Sequence, residues 1–494
     1  MKIIDCFTFY NELELLFLRF SILYEHVDYF VLVESPTTHA GHAKLLYYAD
    51  NKHIYEKFQD KIIHIITDLP HKSPEINYAN NENWVNENFQ RNYIKHALQS
   101  KLELVNEDLI IVSDLDEIIH PDRLVEFRNG SLLLYKGFSL KQDLYYYNLH
   151  CKNTWYWSKA KIMTYEYLLQ KNAEDIRQED LPLLENCGWH LSYFGNAAFI
   201  QNKLKEFVHQ EYNYPEYTDE TNIQERINNC VDLFGRNIVQ MRYVSISENG
   251  NLPPLYDTYL LQYTQNYITT PDLPVYMYYH VCCIENWKQI MSRMIFKIKH
   301  SGLYDLLSGI RCTVLGNADF LSDPIFQDPK IIIRFHSEDL SLYERPCLNN
   351  MIDDSQTEEF YALYCHSKGV KHSNSSDTYK NVYDWCEYLC YFNIYQYNKC
   401  IQQLNTCSDT VGCNLQELGA PLHYSGNFWW AKSSHIAKLP KIVDTYYNTP
   451  EFLVTSIPGK YCNLWTSGVH HYQQSYSFNM YEGKAIDAIH IVKE

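Results

Sequence analysis

The sequence predicts an α/β protein with a doubly wound mixed sheet in its N-terminal half and a second α/β unit behind it. Three observations predict this. Short runs rich in Ile, Val, Leu and Phe alternate with stretches of helical spacing between residues 3 and 114. The run LIIV at 109–112 stops on Ser113-Asp114-Leu115-Asp116-Glu117, which puts carboxylates at a strand's carboxyl end, where open α/β sheets bind ligands. From Pro274 onward the βα alternation begins again.

IIDCFTFY at 3–10 reads as the first strand. Asn11 and Glu12 then lead into an amphipathic stretch to Tyr24, with Leu15, Leu18, Ile22 and Leu23 at helical spacing. VDYFVLVES supplies a second strand that ends on Glu34, and KIIHIITDL a third. Residues 82–104 read as a helix that delivers the chain into the strand ahead of Asp114, and His120-Pro121-Asp122 opens another helix. Asp114 and Asp116, one residue apart on a turn, can face one hard cation, which neutralises nucleotide phosphates. The plain alternative is an acidic, solvated loop.

Several spaced motifs carry a resemblance. DCFTFYNELELLFLRFSILYEHVDYFVLVES is followed by Thr38, Gly41 and Lys44, then by Trp84, Glu87, Gln90 and Arg91 ahead of SDLDEI. FSLKQDLYYYNLH, Trp155, GWHLSYFG and KLKEFVHQEYN come after them in order. Residues 1–240 so resemble glycosyltransferase family seventeen, the β-1,4-mannosyl-glycoprotein β-1,4-N-acetylglucosaminyltransferases. The resemblance implies a GT-A fold, a UDP-sugar donor (UDP-N-acetylglucosamine), a divalent metal, a glycan or glycoprotein acceptor and inversion at the anomeric carbon.

Carried over residue by residue, Asp114 and Asp116 are expected to hold Mn²⁺ or Mg²⁺, Asp116 directly and Asp114 through ribose or water. Asn11, Glu12, Glu34, Lys44, Arg91 and Asp114 are the donor-binding candidates in this half. Arg91 either braces a diphosphate or is an exposed helix arginine; Glu34 either meets the nucleoside or is a loop carboxylate. His190 in GWHLSYF is either a metal or phosphate ligand or a packed core histidine. An inverting transferase needs a carboxylate to take the acceptor's proton, and Glu117, Asp143 and Glu211 are the candidates. Aromatics at 145–147 and 155–157 either stack on an acceptor sugar or pack as ordinary strand residues.

The net charge of -18 and the sequence pI near 5.6, with no basic stripe, argue against a nucleic-acid partner. No apolar run approaches 20 residues, so neither a membrane span nor a signal peptide is expected, and the chain reads as soluble and cytoplasmic. This departs from the membrane-anchored animal members of the family. The fifteen cysteines lack zinc-type spacing and read as buried free thiols of a reducing compartment.

At 494 residues the chain is long enough for two cores, divided here as 1–270 and 274–494 with 240–273 as linker or tail. In the second unit PVYMYYHVCCIENW, IRCTVLGN and KIIIRFHS read as strands and 287–299 as a helix. YALYCHSKGV then sets His366, Ser367 and Lys368 after an apolar run and before Gly369, a place for an anion. With HYSGNFWWAKSSHI this half loosely resembles glycosyltransferase-like domains of polysaccharide assembly, rhamnan-synthesis types included. The resemblance implies a metal-independent second transferase with His366, Lys368 and His423 toward a diphosphate, the other reading of HSKG being a structural turn. Trp429 and Trp430 are a candidate acceptor platform, and Asp353-Asp354 reads as a solvated loop pair.

The reading is a two-module, metal-dependent inverting glycosyltransferase. Its rivals are a non-catalytic glycan-binding protein on degenerate transferase folds and a sugar nucleotidyltransferase, the latter disfavoured because no Gly-rich phosphate loop follows the first strand.

Overall fold

The computed structural model describes residues 1–236, 239–264, 270–372, 378–417 and 419–493. Two compact units emerge, Met1–Gln265 and Asn266–Glu494. Asn249 and Asn251, from the stretch read as linker or tail, hydrogen-bond Tyr145 and Asp143, so this part of the stretch is the first unit's tail.

In the first unit β1 (Ile3–Phe9), β2 (Tyr29–Glu34), β3 (Ile62–Ile66) and β4 (Leu109–Asp114) form a parallel core in the order β3-β2-β1-β4. β5 (Glu117–Ile119) comes directly after. β6 (Gly137–Leu140), β7 (Gln142–Tyr146), β8 (Cys151–Trp157), β9 (Lys161–Thr164), β10 (Leu183–Leu184), β11 (Gly188–Ser192) and β12 (Met241–Tyr243) complete the strands. β9 runs antiparallel to β4, then β6 antiparallel to β9, then β10 parallel to β6. A second sheet, β12-β8-β7-β11-β5, leaves the first at the Asp114–Glu117 turn.

Alternation along β1 explains the two cores. Ile4 and Cys6 face the Glu82–Lys101 helix with Val31, Val33, Ile94, Leu98, Ile110 and Val112. Asp5 and Phe7 face the Leu13–Leu23 helix, whose Phe17 and Phe20 join Phe30, Tyr55 and Phe58 in an aromatic cluster. That helix is buried on nearly every side, and each fully buried Leu or Phe contributes about 1.5–3 kcal/mol. Tertiary burial holds it in place of a side-chain cap, which it lacks.

The second unit contains β13 (Val275–Cys282), β14 (Leu307–Leu315), β15 (Ile331–Ser337), β16 (Tyr361–His366), β17 (Thr410–Gly412), β18 (Leu415–Gln416), β19 (His423–Tyr424), β20 (Trp429–Lys432), β21 (Gly459–Asn463) and β22 (Ile489–Lys493). Its main sheet is β15-β14-β13-β16-β20-β17-β21-β22. Numbering each unit's main-sheet strands in chain order gives 3-2-1-4-6-5-7 in both, with one extra edge strand in the second. Strand directions agree as well, for β13–β16 are parallel, β20 and β17 reverse in turn, and β21 lies parallel to β17. The first unit is therefore the GT-A-like, doubly wound α/β arrangement expected, the second is the α/β unit expected and repeats its strand order, and the duplication lies in topology where none is evident in sequence.

Two expectations for the second unit fail. Trp429 and Trp430 are fully buried, their indoles bonded to Asn427 and to the Asn393 carbonyl, so they are core and no acceptor platform. Asp353 and Asp354 end the Arg345–Asp354 helix instead of forming a loop, and Asp354 is buried, accepting from Arg311, Arg334 and Tyr278. Cations on β14 and β15 draw it inward, and local sequence carries no trace of them.

Candidate functional site

β4 ends on Asp114, and the turn beyond it is gripped from beneath by a buried arginine. Arg19, fully buried, forms a bidentate pair with Asp5 at 2.6 and 2.8 Å. Its Nη1 donates to the carbonyls of Asp114, Leu115 and Glu117 at 2.8–3.1 Å, and its Nη2 to Ser113 Oγ at 2.6 Å. One guanidinium thereby satisfies three carbonyls of the turn and turns its carboxylates the other way.

Asp114 meets two more guanidiniums, Arg91 at 3.0 Å and Arg177 at 2.6 Å. Burial works against its charge, yet Arg177 and Arg91 prevail and hold the carboxyl at about 2. Arg91 also bonds Glu87 and Glu174, while Arg177 forks onto Glu117 at 2.7 and 2.8 Å. Glu117 accepts in addition from the Asp114 amide and from Trp157 Nε1.

Asp116 is held more loosely. Lys203, from the Ala197–Glu206 helix, stands 3.4 Å from one oxygen and His190 Nε2 3.5 Å from the other, while Lys203 reaches Glu12 at 3.0 Å. Burial would raise the Asp116 carboxyl; Lys203 and His190 overcome it and hold the group well below the carboxylate range. His190 arrives through antiparallel pairing of β11 with β5, which sets it opposite Glu117. Gly188 permits the approach: at φ +115°, a Cβ there would lie 2.1 Å from the Ile118 carbonyl oxygen.

These groups open on a cavity of about 440 Å³. Lys44, Arg91, Lys159, Arg177, Lys203 and Arg236 line it, against Glu12, Glu87, Asp114, Asp116, Glu174 and Glu206: six cations and six carboxylates. Aromatic walls come from Tyr10, Trp84, Tyr146, Trp157, Tyr193 and a stacked Tyr212–Phe234 pair at 4.0 Å. The sequence profile of glycosyltransferase family 17 matches residues 1–251, across this whole site. The chain belongs to glycosyltransferase family 17. It is a glycosyltransferase, acting between a sugar donor and an acceptor.

Two solved structures of the glycosyltransferase GlyE from Streptococcus pneumoniae TIGR4 show slight similarity to this family 17 chain. The apo form is 10% identical with a TM-score of 0.20, covering 71% of this chain and 83% of its own; the other is 9% identical with a TM-score of 0.21, covering 70% and 82%. Likeness at that level carries no argument about the site. No curated protein matches the chain.

Several expected residues of the family 17 unit lie elsewhere. Glu117 is buried with both oxygens filled by Arg177, Trp157 and an amide, which leaves no lone pair for a proton, so it is a positioning residue and no base. Asp143 sits outside the cavity, because alternation along β7 turns Leu144 and Tyr146 inward and leaves Asp143 on Lys152 and Asn251. Glu211 is exposed and pairs with His209 at 2.7 Å. Glu34 is wholly buried behind the cavity, bonded to His64 and to the amides of Tyr48 and Ala49, with Lys44 3.8 Å away. Lys44 does reach the cavity, where burial, partly offset by Glu34 and Glu12, lowers its ammonium to about 8. Glu12 lines it through Lys203, whereas Asn11 points to Asn202. Arg91 is buried, not exposed, and bonded by three carboxylates. Trp157 and Tyr146 face the cavity, and Trp155 is solvent-exposed away from it.

For a metal, each oxygen of Asp114 already takes one guanidinium, so a cation there would share both oxygens with Arg91 and Arg177. Asp116 and His190 fit better. Their contacts are at the long end of polar distance, and carboxylate plus imidazole suits Mn²⁺. Among the described residues no group of three His, Cys, Asp or Glu converges, so a cation there would complete its shell from phosphates and water, as Mg²⁺ commonly does.

Arg19, Arg177, Lys203, Glu174 and Glu206 were not singled out from sequence. Lys203 and Glu206 lie within the KLKEFVHQEYN motif, and Arg19 is the one charge inside LLFLRFSIL, a run otherwise fit for burial; Glu174 and Arg177 carried no signal. In the second unit His366 and Lys368 stand together at the end of β16, but His423 binds the Pro421 carbonyl and packs on Phe452, with no contact to Lys368 among the described residues.

Proposed function

We propose that the N-terminal unit transfers N-acetylglucosamine from UDP-N-acetylglucosamine to a hydroxyl of a glycan acceptor, with Mn²⁺ or Mg²⁺ and with inversion. The carrying observation is the Asp116–His190 pair just beyond the carboxyl end of β4, opening on a cavity lined by both charges in a family 17 chain. A divalent ion held by that pair supplies charge against the diphosphate as UDP departs. Lys44 and Lys203 add fixed positive charge toward phosphate oxygens, and Arg19 keeps the turn in register beneath them. Glu206 is the one carboxylate of the six whose partner is neither Arg nor Lys; it bonds His42 at 2.9 Å. No guanidinium or ammonium occupies its oxygens among the described residues, and Glu206 is our choice of base. Trp157 and Tyr146 offer faces for the acceptor sugar.

UDP release from a panel of UDP-sugars, with Mn²⁺ and with chelator, tests the reading. Metal-dependent turnover of UDP-N-acetylglucosamine, reduced at least about a hundredfold by Asp116→Asn, is expected. Turnover indifferent to both metal and Asp116 would overturn it.

A further inference from the structure

The shared strand order makes positions in the two units comparable where sequence similarity is lacking. In the β1:β4 ladder the last registered pair is Thr8 with Asp114; in the β13:β16 ladder it is His280 with His366. His366, Ser367 and Lys368 thus occupy the places of Asp114, Leu115 and Asp116. Both motifs lie where the strand order reverses, between the first and fourth strands, and there a parallel sheet opens a crevice. The charge is inverted: two carboxylates in one unit, an imidazole and an ammonium in the other.

We propose that the C-terminal unit binds a diphosphate-bearing ligand at the end of β16, with the Lys368 ammonium standing where the other unit would need a metal ion. Lys368 Nζ makes no hydrogen bond or ion pair among the described residues and lies 3.6 Å from the centroid of the Trp385 ring. Neighbouring carboxylates are engaged by groups other than Lys368, and Glu344 Oε1 stands 4.0 Å from His366 Nδ1. Glu344 accepts from Tyr364 and Asn427, both at 2.6 Å, and Glu451 from the Gly426 amide at 3.0 Å. Buried ring nitrogens of the motif's surroundings have no partner: Trp385 Nε1 beneath the ammonium, Nδ1 of His471, stacked on Trp385 at 5.0 Å, and Nδ1 of His280, registered opposite His366. Buried polar atoms left unpaired are costly, and phosphate oxygens are the acceptors such a cluster lacks.

The surrounding chain is built to keep the place open. Gly426 has φ +99°, and a Cβ there would come within 3.1 Å of Trp385 Nε1. Its carbonyl takes His366 Nε2 at 3.2 Å. Ser367 ties the motif to β13, donating its amide to the His280 carbonyl and accepting from the Cys282 amide, each at 2.9 Å. A point charge at a strand end can hold a diphosphate directly, with no metal between.

A nucleoside diphosphate and bare pyrophosphate share this chemistry, so both are tested. Full-length Asp116→Asn protein in EDTA is titrated by calorimetry with UDP, GDP, dTDP and pyrophosphate. At least one is expected to bind, about tenfold or more weaker in Lys368→Gln and substantially retained in Lys368→Arg. Preference for one nucleotide adds a nucleoside pocket to the proposal; equal binding of pyrophosphate confines it to the diphosphate. No binding of any of the four, or binding unchanged by Lys368→Gln, overturns it. Since the variant itself could misfold, wild-type lysines are also acetylated with and without saturating UDP, GDP, dTDP or pyrophosphate and mapped by mass spectrometry. Protection of Lys368 is expected, and equal labelling in every case overturns the proposal.

Discussion

Lys44 and Glu206 carry the sharpest tests at the scale of single residues. Lys44 titrates near 8, so its positive charge is present below that pH and fades above it. Affinity for UDP is expected to fall as pH rises through about 8, and Lys44→Gln to remove that dependence; calorimetric titrations from pH 6.5 to 9.5 read both. Glu206→Gln keeps the side chain's shape but no longer takes a proton. Turnover is expected to fall by about a hundredfold or more with UDP affinity within a few-fold of wild type, a split that steady-state kinetics beside binding resolves. Of the acids named from sequence, Glu117 and Asp143 were misjudged for a common reason. Chain position tells that a carboxylate is near a motif, but its usefulness depends on which face it takes and what fills its lone pairs. Trp157, Arg177 and Lys152, which decide those cases, lie at 9 to 60 residues' separation.

At the scale of elements, the Leu13–Leu23 helix is as much a part of the site as the strand that bears the carboxylates. Replacing Arg19 with Met leaves Asp5 charged and uncompensated in the core and frees the carbonyls of Asp114, Leu115 and Glu117. A loss of about 3–5 kcal/mol is expected for a broken buried pair, visible in calorimetry as a lowered transition. Lys at this position recovers little, since one ammonium cannot fork onto Asp5 while bridging the turn. β1 to β4 and the helix before β4 were legible because each is a long apolar run or a strongly periodic segment. The helix ends at Lys101, short of residue 104, where the chain becomes extended. β5 was not legible: three residues, Glu117–Ile119, become a strand only because β11 comes back beside them. The site's His190 depends on that unreadable pairing, so the motif could suggest the histidine but not place it.

At the scale of the whole molecule, one strand order occurs twice; the sequence shows two α/β units open to a shared architecture, with no internal duplication of residues to fix the match. Topology is set by which strands pair, and this pattern survives nearly complete replacement of the residues that produce it. Among the described residues no helix is long and apolar enough to cross a membrane. All fifteen cysteines are free, most of them buried.

The six-against-six balance of the first unit's cavity has a thermodynamic sequel. A lining already neutral has little spare attraction for a diphosphate arriving alone, and equally little for a divalent cation arriving alone. Together they are close to neutral. Metal and nucleotide should therefore bind as cooperative partners, each strengthening the other by one shared factor, as linkage requires. Measured around the full cycle, UDP affinity with and without Mn²⁺ and Mn²⁺ affinity with and without UDP are expected to change by the same ratio, about tenfold or more. A ratio near one would mean that the two do not meet in this cavity.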